Sequence, residues 1–289
     1  TSRSASGSLP PEERGEAGKR LNLARQTIEA RLAEREAELE RTAIADRLAH
    51  DRVDPTLPGR ATPQGGLHVL TQTRREIEQI FLDMGYAIAE GPEVETEFNN
   101  FTALNIPDDH PAKADSDTLW VSDGVLLRTH TSPVQVRVMQ AQEPPVAIIC
   151  PGRVYRRDTQ DATHSPIFHQ VEGLLIDEGV TLAHLKGTLE HLTKRLFGAD
   201  REIRLRSGFF PFTEPSIEVD VSWGDGWMEI LGAGMVDPNV LAHVGYDPER
   251  WTGFAFGVGI ERVAMLRHGI PDIRMLFDND VRFLEQFPA

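Results

Sequence analysis

From residue 118 to residue 235 the chain is a run of short strand signals. The segments "LWVSDGVLLRTHT", "VAIICPGRVYRR", "IFHQVEGLLID", "EIRLRSGFFPF", "SIEVDVSW" and "GWMEILGAGMV" are apolar or alternating, with Gly, Pro or Asp between them. Two helical patterns interrupt the run, at 133–141 after "TSP" and at 182–197. A doubly wound parallel sheet needs a crossover helix between successive strands, and hairpin spacing does not leave room for them. The expected fold class is therefore α+β, an antiparallel sheet flanked by helices. A last strand, 252–259, runs straight into a helix, 260–268, that stops at Gly269 with Pro271 beyond.

The N-terminal fifth reads differently. Leu21, Ala24, Ile28, Leu32, Leu39 and Ala43 recur in steps of 3, 4, 4, 7 and 4, and the remaining positions alternate Arg with Glu. So narrow a stripe suits one partner helix rather than a globular core, which predicts a long coiled-coil arm over 1–52. "DRVDPTLPGRATPQGG" reads as a linker. The second domain, 53–289, opens with a helix at 68–84, in which Leu70, Thr73, Ile77, Ile80, Phe81 and Met84 share a face, and continues as a strand to Pro92. With no initiator Met and helical periodicity almost from the start, the arm is expected to be truncated. The first residues, "TSRSASGSLPPEERGEAG", hold no apolar h-region, so no signal peptide is expected, and the single cysteine, Cys150, permits no internal disulfide; both fit an expected reducing, cytoplasmic setting. The net charge of −15 argues against a self-sufficient nucleic-acid binder, although local patches or a partner could supply basic surface.

Four stretches carry chemistry. In "GRVYRRDTQDATHSPIFHQVEG", 152–173, strand alternation puts Gln170, Glu172 and Leu174 on one face, with Arg156 at the strand end able to fork onto a phosphate or carboxylate and His164 in the loop as a further donor. In "GFAFGVGIERVAML", Gly257 and Gly259 allow close approach of a ligand, and Arg262 stands in the first turn of the next helix. A dinucleotide fingerprint would need Gly or Ala where Arg262 stands, so a stacked purine with its polyphosphate fits better. In "RTHTSPVQVR", Thr131 or Ser132 caps a helix with Pro133 at its first position, which brings His130, Ser132 and Gln135 within reach of one another. In "FFPFTEP", Phe210 and Phe212 lie two apart on one expected strand face, suited to an aromatic ligand, and Glu214 is a candidate oxygen ligand for Mg2+. Each stretch also has a plain structural reading: ion-paired hairpin, tight turn, helix cap, core packing.

Taken in order, the helix and strand ending at Pro92, the strand–loop–strand with Arg156 and the Gly-rich strand feeding Arg262 resemble motifs 1, 2 and 3 of the class II aminoacyl-tRNA synthetases. "LNIPDDHPA", "LLRTHTSPVQVR", "FFPFTEPS" and "LGAGMVDPNVL", with the motif 2 and 3 segments, resemble the catalytic alpha subunits of bacterial-type phenylalanyl-tRNA synthetases over about 52–289, and the arm fits that family's coiled coil. The resemblance implies activation of L-phenylalanine by ATP with Mg2+, then transfer to the terminal ribose of tRNA(Phe), in an (αβ)2 heterotetramer with a beta subunit. It implies that Arg156, Asp158, His164, Phe168, Gly259 and Arg262 bind ATP, with Arg156, His164 and Arg262 catalytic. His130, Ser132, Gln135, Gln170 and Glu172 would hold the amino acid's ammonium group, Phe210, Phe212, Ala255 and Gly257 its ring, and Glu214 the metal. One departure is Asp158, where motif 2 usually carries Glu. The alternatives are another class II-like ligase and a non-catalytic paralogue; the presence of both Arg156 and Arg262 disfavours the second.

Overall fold

The computed structural model describes residues 10, 12–51, 54–59 and 65–287. The chain divides into two compact units, Thr1–Gln64 and Gly65–Ala289. Residues 1–9, 11 and 52 of the expected arm, and residues 53 and 60–64 of the expected linker, lie outside the described residues.

The first unit is one helix, α1 (Arg14–His50), with no buried residue among those described. Its stripe stands in solvent: Leu21, Ile28, Leu32 and Leu39 are 46% to 67% exposed. Pairs such as Arg25–Glu29 and Arg35–Glu38 lace the charged face, each worth little in water. No described helix, this one included, is long and apolar enough to cross a membrane.

The second unit runs α2 (Val69–Asp83), β1 (Ala87–Ile88), β2 (Val94–Thr96), α3 (Glu97–Asn100), β3 (Trp120–Ser122), β4 (Val125–Leu127), α4 (Ser132–Ala141), β5 (Val146–Tyr155), β6 (Ile167–Asp177), α5 (Leu182–Phe197), β7 (Ile203–Phe210), β8 (Thr213–Trp223), β9 (Gly226–Val236), α6 (Pro238–His243), β10 (Thr252–Gly259), α7 (Ile260–His268) and α8 (Val281–Leu284). Seven strands form one sheet in the order β1-β5-β6-β10-β9-β8-β7, and β2, β4 and β3 form a smaller sheet. Every pairing in the large sheet is antiparallel except β1 with β5. The sheet is thus mixed rather than purely antiparallel, because β1 arrives on the edge straight from α2 and not through a hairpin.

Other elements also differ from expectation for local reasons. The strand expected to stop at Pro92 resumes beyond it as β2, in the other sheet. "LWVSDGVLL" folds back on itself at Gly124 (φ +67), giving β3 and β4. The strand expected to contain both Phe210 and Phe212 ends at Phe210, which pairs with Thr213 across a tight turn after a bulge.

Two apolar layers sandwich the sheet. On one side α2, α5 and α7 cover Val171, Phe254, Phe256 and Val258. Thr181 and His184 close a capping box at the start of α5. On the other side Phe101, Leu104, Val134, Met139, Leu174 and Val240 form a second cluster. Period-two alternation therefore sends Gln170, Glu172 and Ala255 toward the second layer. Gly173 has to lack a side chain, since a Cβ there would lie 2.1 Å from the Phe256 ring.

Candidate active site

Against the second face of the sheet lies a cavity of about 610 Å3, within the range of small-molecule sites. It brings together Arg156, Asp158, His130, Ser132, Gln135, Gln170, Glu172, Phe210, Phe212, Ala255 and Gly257. These come from α4, β5's end, β6, the β7–β8 turn and β10, so no local rule could have placed them together.

Glu172 is the hub. Its carboxyl group accepts from Thr131 N (2.9 Å) and Gln135 Nε2 (3.2 Å), and its Oε2 lies 2.5 Å from Ser132 Oγ. Ser132 Oγ lies 2.7 Å from His130 Nδ1, and His130 Nε2 donates to the Asn100 carbonyl at 2.9 Å. Burial pushes the Glu172 carboxyl up. Burial also pushes the His130 imidazole down to about 4, so the ring is neutral at pH 7. Thr131 occupies the N-cap position of α4 but caps nothing with its side chain. Ser132 is likewise turned from capping to Glu172. The Oε1 atom of Gln170 and the Thr131 hydroxyl are buried without a hydrogen-bond partner. An acceptor left bare beside a carboxylate favours a cationic donor.

The aromatic part adjoins this cluster. The Phe210 and Phe212 rings stack with centroids 5.8 Å apart and 12° between planes, and the His130 ring lies 6.2 Å from Phe212. Asn105, in a left-handed conformation (φ 57), donates to Pro211 O at 2.8 Å and so fixes the turn between the two rings. Phe210 also packs against Gly232, where a Cβ would come within 2.7 Å of its ring.

Arg156 sits half-buried, with Nε donating to Thr129 O at 3.2 Å and the guanidinium 5.1 Å from the Phe168 ring centre. Burial lowers its pKa, opposed by Asp158 and Glu172; a guanidinium remains charged regardless. Four expected ATP residues do not line the cavity. His164 is exposed and paired with Asp161, which raises its pKa. Arg262 is exposed, reaching Glu229 O at 3.5 Å, and Gly259 is the N-cap of its helix. Phe168 joins the site only through Arg156. Glu214 is exposed and lies outside the cavity lining, since Thr213 takes the inward position.

Sequence reading overlooked several members. Asn100 holds His130 and, through its Oδ1, the Thr129 amide. Arg128 is 3% exposed and donates to the carbonyls of Arg153, Gly91 and Pro92, tying β4's end to β5. Glu261, in the first turn of α7, accepts from His169 N and lies 2.7 Å from its Nδ1, joining motif 2 to motif 3. A buried polar residue on each segment was the only signal available.

A sheet of this topology carrying Arg156 on a strand–loop–strand and Arg262 on the strand–helix junction defines a class II aminoacyl-tRNA synthetase core. Residues 52–287 match the tRNA synthetases class II core domain (F), and residues 5–48 the aminoacyl-tRNA synthetase class II N-terminal domain. The structure is similar to pyrrolysyl-tRNA synthetase from Desulfitobacterium hafniense (TM-score 0.59, 18% identity, 93% of this chain and 87% of that one), which supports the fold. Among relatives, the phenylalanine–tRNA ligase alpha subunit of Caldicellulosiruptor saccharolyticus is 54% identical over 96% of this chain and 86% of its own length. Those of Heliobacterium modesticaldum and Thermotoga neapolitana are each 55% identical, over 97% and 96% of this chain and 86% of their own lengths. The chain belongs to the phenylalanine–tRNA ligase alpha subunit family.

Proposed function

We propose that the cavity is the site where this subunit activates L-phenylalanine. The family makes the chain an ATP-dependent phenylalanine–tRNA ligase of protein biosynthesis. The observation that carries the reading is the junction of an acid-centred polar cluster with a stacked aromatic pair in one cavity. The substrate's ammonium group meets Glu172, Gln170, Ser132, His130 and Gln135. Its ring enters between Phe210 and Phe212 and the Ala255–Gly257 wall, and its carboxylate faces Arg156.

ATP lies along motif 2 and motif 3, its α-phosphate at Arg156, with Arg262, Phe168, Gly259, Asp158 and His164 around adenine and phosphates. The amino-acid carboxylate oxygen attacks the α-phosphorus, the bond to the bridging oxygen breaks, and pyrophosphate leaves. Such a transfer needs positioning and charge neutralisation more than proton transfer, hence two arginines and no general base. A hydroxyl of the terminal ribose of tRNA(Phe) then attacks the adenylate carbonyl and AMP leaves.

Among the described residues no group of three or more acidic, His or Cys side chains could hold a metal. Glu214, exposed beside the β7–β8 turn, would offer Mg2+ a carboxylate when the ion arrives with the nucleotide's phosphates.

The relatives are named alpha subunits, which implies a beta subunit partner. We extend this to an (αβ)2 heterotetramer in the cytoplasm, with 1–52 as a coiled-coil arm and 53–289 as the catalytic domain. The exposed stripe of α1 supports an arm that packs on something else.

The test is phenylalanine-dependent exchange of pyrophosphate into ATP by the assembled enzyme. Exchange lost in Arg262→Ala supports the reading. No exchange with any aromatic amino acid overturns it.

A further inference from the structure

His130 Nε2 faces a carbonyl, which can only accept, so this nitrogen carries a proton. Two contacts remain, 2.7 Å from His130 Nδ1 to Ser132 Oγ and 2.5 Å from Ser132 Oγ to Glu172 Oε2. Both are too short for lone pair against lone pair, so each holds a proton. Serine brings one. A neutral imidazole and an ionised carboxylate bring none to either gap. The chain Glu172–Ser132–His130 therefore holds one proton more than that charge state supplies.

We infer that Glu172 carries this proton in the free enzyme, and that docking of the substrate's ammonium group drives it off to solvent. The inference rests on the proposed reading of the cavity. The carboxylic O–H donates to Ser132 Oγ, the serine O–H donates to His130 Nδ1, and His130 Nε2–H donates to Asn100 O. Every donor then has an acceptor. On binding, the carboxyl O–H bond breaks, the proton leaves to water, and the carboxylate takes the ammonium as its partner. The ammonium keeps its three protons.

The surroundings agree with this placement. Opposite Glu172 stand Cys150 on β5 and Gly257 on β10. Burial keeps the Cys150 thiol protonated. Arg156 and Arg128 lie near enough to favour the carboxylate, but their guanidinium groups donate to backbone carbonyls instead. Asp158, beside Arg156, offsets its charge. His110, Asp117 and Glu229 line the same cavity. Burial pushes Glu172 up and His130 down, the same sense as this placement of the proton.

Isothermal calorimetry of L-phenylalanine binding to the assembled enzyme, at pH 7 in buffers of different ionisation enthalpy, tests it. The expected result is release of close to one proton per site, with affinity rising by up to about tenfold per pH unit while Glu172 is protonated in the free enzyme. Infrared difference spectra should show a protonated-carboxyl band lost on binding, and no such loss in Glu172→Gln. Binding without proton release overturns the inference and leaves the function intact. Release without that band change, or the same band lost in Glu172→Gln, overturns the assignment to Glu172. No binding of phenylalanine at all overturns the functional reading and the inference together.

Discussion

Gly257 on β10 faces Glu172 on β6, and a Cβ at 257 would come to rest 3.1 Å from Glu172 Cγ and 3.3 Å from Gln170 Nε2. The glycine thus sets how far the acid hub stands from the sheet. Gly257→Ala is expected to push both side chains by a few tenths of an ångström and to raise KM for phenylalanine by roughly tenfold, with a smaller effect on KM for ATP. Pyrophosphate exchange at varied phenylalanine measures it; an unchanged KM would show that the hub tolerates the shift.

Phe212 bridges the aromatic pair and the His130 ring. Phe212→Ala is expected to lower kcat/KM for phenylalanine by about 10²-fold, equivalent to about 3 kcal/mol, the cost of losing a packed aromatic contact. Phe212→Leu should recover part of that loss. Steady-state exchange kinetics on both variants decide the point.

The exposed His164–Asp161 pair offers a pH test of the proposed ATP site. The Asp161 carboxylate raises the His164 pKa above its ordinary 6.5. The imidazolium accordingly persists to higher pH than an unpaired histidine would allow and is lost as pH rises through the raised value. If His164 serves the phosphates, KM for ATP climbs as pH rises through that raised value. Asp161→Asn should move the climb to lower pH, and His164→Ala should abolish it. A pH profile of KM for ATP that is identical in all three proteins would remove His164 from the site.

Glu95 is fully buried at its side chain and pairs with Arg137, which is 43% exposed. Burial would raise this carboxyl, but bonds from Arg137, Asn99 and the Thr96 amide hold it below its ordinary value. Arg137→Ala strands the carboxylate and is expected to cost about 2–3 kcal/mol, discounted for the exposed partner. That corresponds to a fall in melting temperature of roughly 4–10 °C. A depressed carboxyl stabilises above its unfolded pKa and loses that contribution as pH falls. The gap between parent and variant should therefore narrow below about pH 4 in thermal melts.

Removal of residues 1–50 tests the arm. Pyrophosphate exchange should persist, because the cavity belongs wholly to the second unit. Aminoacylation should fall through a raised KM for tRNA. Unchanged aminoacylation would separate α1 from tRNA binding.

Local chemistry fixed what is periodic or punctuated in this chain. The α1 stripe, the Gly269 stop (φ +63) and the face shared by Gln170 and Glu172 follow from the helical and strand periods and from glycine's freedom at positive φ. The order of motifs also pointed to Arg156 and Arg262 as proposed partners at one nucleotide site, though they stand more than a hundred residues apart in the chain and only Arg156 lines the cavity. Tertiary structure decided the rest, because it depends on pairings that no local pattern encodes. It put β1 parallel to β5 and split one expected strand at Gly124. It ended β7 at Phe210, so that a turn anchored by Asn105, rather than strand alternation, stacks Phe212 on its neighbour. Above all it turned Ser132 away from a helix cap and onto Glu172, forty residues along the chain. A hydroxyl at a helix start has two possible partners, its own backbone or a distant carboxyl, and only the packed fold chooses between them.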